Sequence, residues 1–171
     1  MKALIPTVVL CAALAAAGCG SGGSSEATGS TLGGNTRLGG RTQPFIAAPK
    51  GPPPKKLVIK DIEEGSGPVA KAGDRATVSW AGFLYKGGRW FFSSWNWKFQ
   101  DRFSFMIGSG QVIPGWDWGM RGMRVGGRRK MVIPARLAYG ARGTSYVPPN
   151  EAVIYVVDLL KIKKATAQKT Y

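Results

Sequence analysis

Gln111-Val112-Ile113-Pro114-Gly115-Trp116-Asp117-Trp118-Gly119-Met120-Arg121-Gly122-Met123 is the one stretch of the folded part that reads as a helix. Pro114 suits a first helical turn, where a missing N–H is not needed. Ile113, Trp116, Met120 and Met123 recur at a spacing that shares one face. The helix is short and rich in glycine, so propensity does not hold it and it needs a surface to pack on. The flanking sequence offers one. Ala76, Val78 and Trp80 alternate with Thr77, Ser79 and Ala81, the period of a half-buried strand. Gly87-Gly88 turns the chain into Trp90-Phe91-Phe92, and Phe103, Phe105 and Ile107 alternate with Ser104 and Met106. Leu57-Val58-Ile59 opens this region before the turn Glu64-Gly65-Ser66-Gly67-Pro68. Met131-Val132-Ile133 is stopped by Pro134, and Ala152 to Leu160 is an almost unbroken apolar run, as in a central strand covered on both faces. These signals predict an α+β domain: five to six antiparallel strands and one short helix.

Composition narrows the chemistry. The chain has 171 residues, 24 Lys plus Arg against 9 Asp plus Glu, two cysteines and no histidine. Without histidine there is no Ser-His-Asp or Cys-His catalysis and no imidazole base, and most zinc sites are excluded. Nine scattered carboxylates form no calcium-loop pattern. No metal and no cofactor is expected. What remains is a basic, aromatic-rich binding protein or an enzyme that works by shape.

The first residues read as an address. Met1-Lys2 is followed by Ala3 to Ala17, apolar apart from Thr7 and too short to span a bilayer. The run ends in Leu14-Ala15-Ala16-Ala17-Gly18-Cys19, which resembles the lipobox of bacterial lipoproteins, with Ala16 where leucine is commonest. Residues 1–18 are therefore expected to be a signal peptide and Cys19 a lipidated N-terminus; Cys11 would be lost with the signal. Residues 19–54, dominated by Gly, Ser and Pro, are expected to be a flexible tether with a reach of roughly 30 Å. The domain is expected over 55–164, with a tail at 165–171.

Four runs, in order, identify the domain: Gln111-Val112-Ile113-Pro114-Gly115-Trp116, Gly122-Met123-Arg124-Val125-Gly126-Gly127-Arg128-Arg129, Leu137-Ala138-Tyr139-Gly140 and Val147-Pro148-Pro149-Asn150, followed by Val156-Val157-Asp158-Leu159-Leu160. From Leu57 to Ile162 the chain resembles the FKBP family of peptidyl-prolyl cis-trans isomerases. The resemblance implies a half-open antiparallel sheet wrapped around the helix, with the active site between them. It implies Trp116 as the pocket floor under a proline ring. Phe103, Val112, Ile113 and Tyr155 would be its walls, with Phe91 at one side and Val147 on an overhanging loop. The N–H of Ile113 and the hydroxyl of Tyr139 would hold substrate carbonyls, and Phe105 would remain core. Ile113, Trp116 and Tyr139 are thus the expected catalytic set. Proline-containing polypeptides and macrolide inhibitors are the implied partners.

Two departures fall in the pocket. The family usually reads Phe-Asp-Ser-Ser where this chain has Phe91-Phe92-Ser93-Ser94, and Trp80 stands for the usual pocket tyrosine. Trp80 and Phe92 are accordingly expected as apolar substrate contacts, with reduced turnover and weakened macrolide affinity. The segment from Trp95 to Arg102 is longer, and the loop Gly143–Pro148 shorter, than in the family. The expected function is an isomerase of the cell envelope, lipid-anchored outside the cytoplasmic membrane, monomeric and without nucleic-acid partners. The rival readings are a low-activity peptide-binding chaperone module and an adhesin for anionic surfaces. The cluster Arg121, Arg124, Arg128, Arg129 and Lys130 is read as a solvated basic face.

Overall fold

In a computed structural model of the chain, residues 41–95 and 102–165 are described. Six strands form one antiparallel sheet: β1 Val58–Glu63, β2 Arg75–Leu84, β3 Trp90–Ser93, β4 Phe103–Met106, β5 Arg128–Ile133 and β6 Val153–Lys163. The order is β1-β5-β6-β2-β3, and β4 also pairs with β2. β3 takes the Ala81–Phe83 end of β2 and β4 the Arg75–Val78 end, so both lie along one long edge. β6 is central and buried from Val153 to Leu159, as its unbroken apolar sequence requires. Val153, Tyr155, Val157 and Leu159 join the cluster on the helix side, while Ile154 and Val156 join a second cluster on the opposite face.

The helix α1, Pro114–Gly119, has Pro at its start and buries Gly115, Trp116, Asp117 and Gly119. It seats directly on β5. A Cβ on Gly115 would collide with Ile133 Cγ2, and one on Gly119 with Met131 Sδ. The glycines that weaken the helix in isolation are thus what lets it lie against the sheet. Its C-terminal end is completed from the sheet: Arg129 Nη1 donates to the carbonyl oxygens of Gly119 (2.7 Å) and Arg121 (3.0 Å), satisfying acceptors that the helix leaves open. The same guanidinium makes a two-point pair with Asp61, at 2.6 and 2.9 Å.

Two parts of the sequence reading are corrected here. Residues 41–54, expected within the tether, lie against the domain: Ile46 packs on the second cluster beside Phe83, Trp95, Ile154 and Val156. Arg41 donates to the Gly126 carbonyl (2.6 Å) and pairs with Glu63 (2.9 Å). Tyr85 Oη donates to the Pro52 carbonyl at 3.1 Å, and Arg136 to that of Lys55 at 3.2 Å. The apolar second face of β2 and β6 needs cover, and this arm supplies some of it. The basic cluster, in turn, is not wholly solvated. Arg128 and Arg129 are buried and paired with carboxylates, Arg128 binding Asp158 through two hydrogen bonds of 2.6 and 2.8 Å. The expectations for residues 1–40, including Cys19, for the longer loop over 96–101 and for 166–171 lie outside the described residues.

At the far end of the sheet, Asp74 receives Lys164 Nζ (2.9 Å) and the backbone N–H groups of Lys71 (3.0 Å) and Ala165 (3.4 Å). Burial pushes its carboxyl up, but these donors outweigh burial and hold it below its ordinary value.

Candidate active site

Between α1 and the helix-facing side of the sheet lies a cavity of about 470 Å³. Six parts of the chain deliver its eight wall residues. Trp80 comes from β2, Phe103 from β4 and Tyr155 from β6; Gln111, Val112 and Ile113 come from the approach to the helix, Trp116 from the helix and Tyr139 from the loop after β5. Trp116 is only 4% exposed and forms the base. It meets Tyr155 edge to face at 5.2 Å, Trp80 at 5.6 Å and Phe105 at 5.5 Å. These are the spacings at which perpendicular rings attract. Its indole N–H is buried with no acceptor among the described residues.

The walls are braced from behind. Asp117 turns its carboxylate away from solvent and accepts the N–H groups of Gly108 and Gly110, both at 2.8 Å, tying the loop after β4 to the helix. Gln111 Oε1 accepts the Met106 N–H at 3.1 Å. Tyr139 follows a short 3-10 turn, Ala135–Leu137, and its carbonyl accepts the Gly143 N–H at 3.2 Å. Its hydroxyl lies 2.6 Å from that of Tyr155. Burial, first, and then the neighbouring Tyr139 push the Tyr155 phenol well above its ordinary value, so it stays protonated.

Seven of the expected residues therefore meet around one cavity: Trp80, Phe103, Val112, Ile113, Trp116, Tyr139 and Tyr155. Three stand one layer back. Phe92 lies flat against Trp80, with centroids 4.4 Å apart and planes 16° from parallel, and Trp80 is the one of the two that lines the cavity. Phe91 packs edge to face on Tyr155 at 5.9 Å. Val147 is drawn into the core at 1% exposure, because Thr144 Oγ1 accepts its N–H (3.0 Å) and its carbonyl accepts the Thr144 N–H (2.7 Å). Val147 is thus buried within a loop whose neighbouring residues, Thr144 to Tyr146 and Pro148, are exposed. Gln111 and Asp117 were not singled out from sequence. A carboxylate beside Trp116 on the buried side of an apolar helix was the signal for Asp117, since such a group needs donors nearby. Among the described residues no cluster of three metal-ligating side chains occurs.

Comparison with known proteins gives a consistent result. Residues 67–160 match the family model for FKBP-type peptidyl-prolyl cis-trans isomerases. An FK506-binding protein of Streptomyces anulatus is 47% identical over 122 residues, covering 70% of this chain and 97% of that protein. One from Neisseria meningitidis serogroup A is 42% identical over 107 residues, covering 62% and 95%. The crystal structure of FkpA from Escherichia coli aligns with a TM-score of 0.57 at 36% identity, over 64% of this chain and 49% of that one. The alignment thus spans about half of the FkpA chain.

Proposed function

Since the chain belongs to the FKBP-type peptidyl-prolyl cis-trans isomerase family, we propose that it accelerates rotation about X-Pro bonds by holding the twisted amide over Trp116. The observation that carries this reading is the aromatic cavity of about 470 Å³, bordered by a hydroxyl at Tyr139 and by Ile113 at the helix start. No bond is made or broken. Resonance sets the barrier to rotation at roughly 18–20 kcal/mol, so an enzyme needs only to bind the twisted amide better than either planar form. Apolar walls disfavour the charge-separated planar resonance form. The Ile113 N–H and the Tyr139 hydroxyl are the donors assigned to the substrate carbonyls.

The test is cis-to-trans relaxation of short X-Pro peptides with the purified domain, together with peptide affinity. Acceleration is expected, with a rate flat from pH 5 to 8, because among the described residues the lining holds no carboxylate, amine or histidine and Tyr155 stays protonated. Binding without acceleration would replace this reading with that of a peptide-binding chaperone. Neither binding nor acceleration would end both. Macrolides of the FK506 type are expected to bind more weakly than to family members with a pocket aspartate, because here the Phe92–Trp80 stack closes that side.

We also propose that the domain acts in the cell envelope, held by lipid on Cys19; the support is the residue pattern Leu14–Cys19. Cys19→Ala should release the protein from the membrane fraction or leave it unprocessed. A processed Cys19→Ala protein that stays membrane-bound would show that the anchor lies elsewhere.

A further inference from the structure

We infer that Tyr155 is a positioning residue: its hydroxyl donates to Tyr139 and so aims the Tyr139 proton into the cavity. This rests on the reading that Tyr139 donates to a substrate carbonyl. Tyr155 is central in β6, opposite Gly82 on one side and Met131 on the other. Its ring is clamped by Trp116, Trp80 and Phe91 at centroid distances of 5.2, 5.5 and 5.9 Å. Gly82 leaves the room for this, since a Cβ there would come within 2.9 Å of Tyr155 Cε1. Thus held, the ring is 2% exposed and its hydroxyl reaches Tyr139 Oη at 2.6 Å.

Two hydroxyls share two protons, and the geometry allows either to donate. The surroundings decide between them. Tyr155 also lines the cavity but is only 2% exposed, and Tyr139 is the partner its hydroxyl has among the described residues; without that bond the O–H would be left almost out of reach of water. Tyr139 is only half-buried and borders the cavity, so its own proton has somewhere to go. The arrangement that satisfies the buried group is Tyr155 O–H to Tyr139 Oη, with the Tyr139 proton facing the ligand. A hydroxyl that accepts one hydrogen bond also donates more strongly in the next. Tyr155 therefore fixes the direction of Tyr139 before substrate arrives and strengthens the bond that it makes.

The experiment is a double-mutant cycle of Tyr139→Phe and Tyr155→Phe, read in kcat/KM on an X-Pro peptide and in Kd for the same peptide. Both substitutions keep the ring and remove only the hydroxyl. Tyr155→Phe should lower kcat/KM, or raise Kd, by about two- to tenfold, the worth of one hydrogen bond. In the Tyr139→Phe background the same change should do nothing further, because the group through which it acts is gone. Equal losses in both backgrounds would make Tyr155 merely structural and overturn the inference. So would a loss on Tyr139→Phe with none on Tyr155→Phe. No effect of Tyr139→Phe would instead remove the underlying reading of Tyr139. Thermal melting checks the premise that the Tyr155 hydroxyl depends on this bond: Tyr139→Phe alone strands it and should melt lower than the double variant, and the reverse order overturns the inference.

Discussion

Replacing Trp116 by alanine is expected to cost about 3–5 kcal/mol of stability, lowering Tm by roughly 10–20 °C. It is also expected to reduce kcat/KM by about tenfold or more. The two losses share one cause. Trp116 is at once the base of the cavity and a member of the main core, touching Trp80, Phe105 and Tyr155 edge to face. The helix that carries it has only six residues, Pro114–Gly119, so it cannot keep its shape once its largest buried side chain is removed. Trp116→Phe separates the roles. It keeps an apolar ring and deletes an indole N–H that is buried without an acceptor among the described residues. It should therefore cost about 1–2 kcal/mol, a small part of what the alanine variant loses. Calorimetry and peptide relaxation on both variants measure this. If Trp116→Ala melts lower but turns over peptide as fast as wild type, the cavity is not where isomerisation occurs.

How much of this was legible in sequence depended on whether the cause was local. The alternation Ala76-Val78-Trp80 and the apolar run to Leu160 report strand period and burial directly, and the sheet follows them closely. Trp116, Ile113 and Tyr139 meet because the short helix lies on β5 and the loop after β5 brings Tyr139 to Tyr155 of β6; the ordered runs 111–116 and 137–140 carried that information. What failed to show depended on contacts between distant positions. Phe92 and Trp80 are each legible as strand aromatics, but which of them faces the cavity is decided by their stacking and by the register shift between Gly82 and Phe83. The arm from Arg41 looked like tether because Gly, Ser and Pro surround it. Its anchors are single residues, Arg41 and Ile46, whose partners lie far along the chain. Arg128 and Arg129 looked like surface because charge in sequence carries no sign of its partner. Only the pairing of β5 with β6 and β1 places Asp158 opposite the first and Asp61 opposite the second.

That burial makes Asp158→Ala the other variant with a large expected effect, a loss of about 3–5 kcal/mol. Asp158 is 2% exposed and takes two hydrogen bonds from Arg128, at 2.6 and 2.8 Å, with Arg41 3.5 Å away. Its hydrogen bonds raise the Arg128 pKa more than burial lowers it, and a guanidinium is basic enough to stay charged even when that partner is removed. Removing the carboxylate leaves that charge 8% exposed, with the Thr42 carbonyl at 3.1 Å, the ring of Trp95 at 5.6 Å and the half-exposed Glu63 on the adjacent strand as remaining partners. A cation–π contact of about 0.5–2 kcal/mol does not replace a buried two-point ion pair. The penalty thus comes mainly from the stranded arginine and not from the lost attraction. The double variant Asp158→Ala/Arg128→Met discriminates between these causes. It removes both charges and refills the space with apolar volume, so it should recover most of the stability lost in Asp158→Ala. Urea denaturation of the three proteins measures the recovery. If the double variant is as unstable as Asp158→Ala, the Asp158 carboxylate supports the fold through contacts other than Arg128. Peptide relaxation should change little in the folded double variant, because this pair lies on the face of β5 and β6 turned away from Trp116 and the cavity.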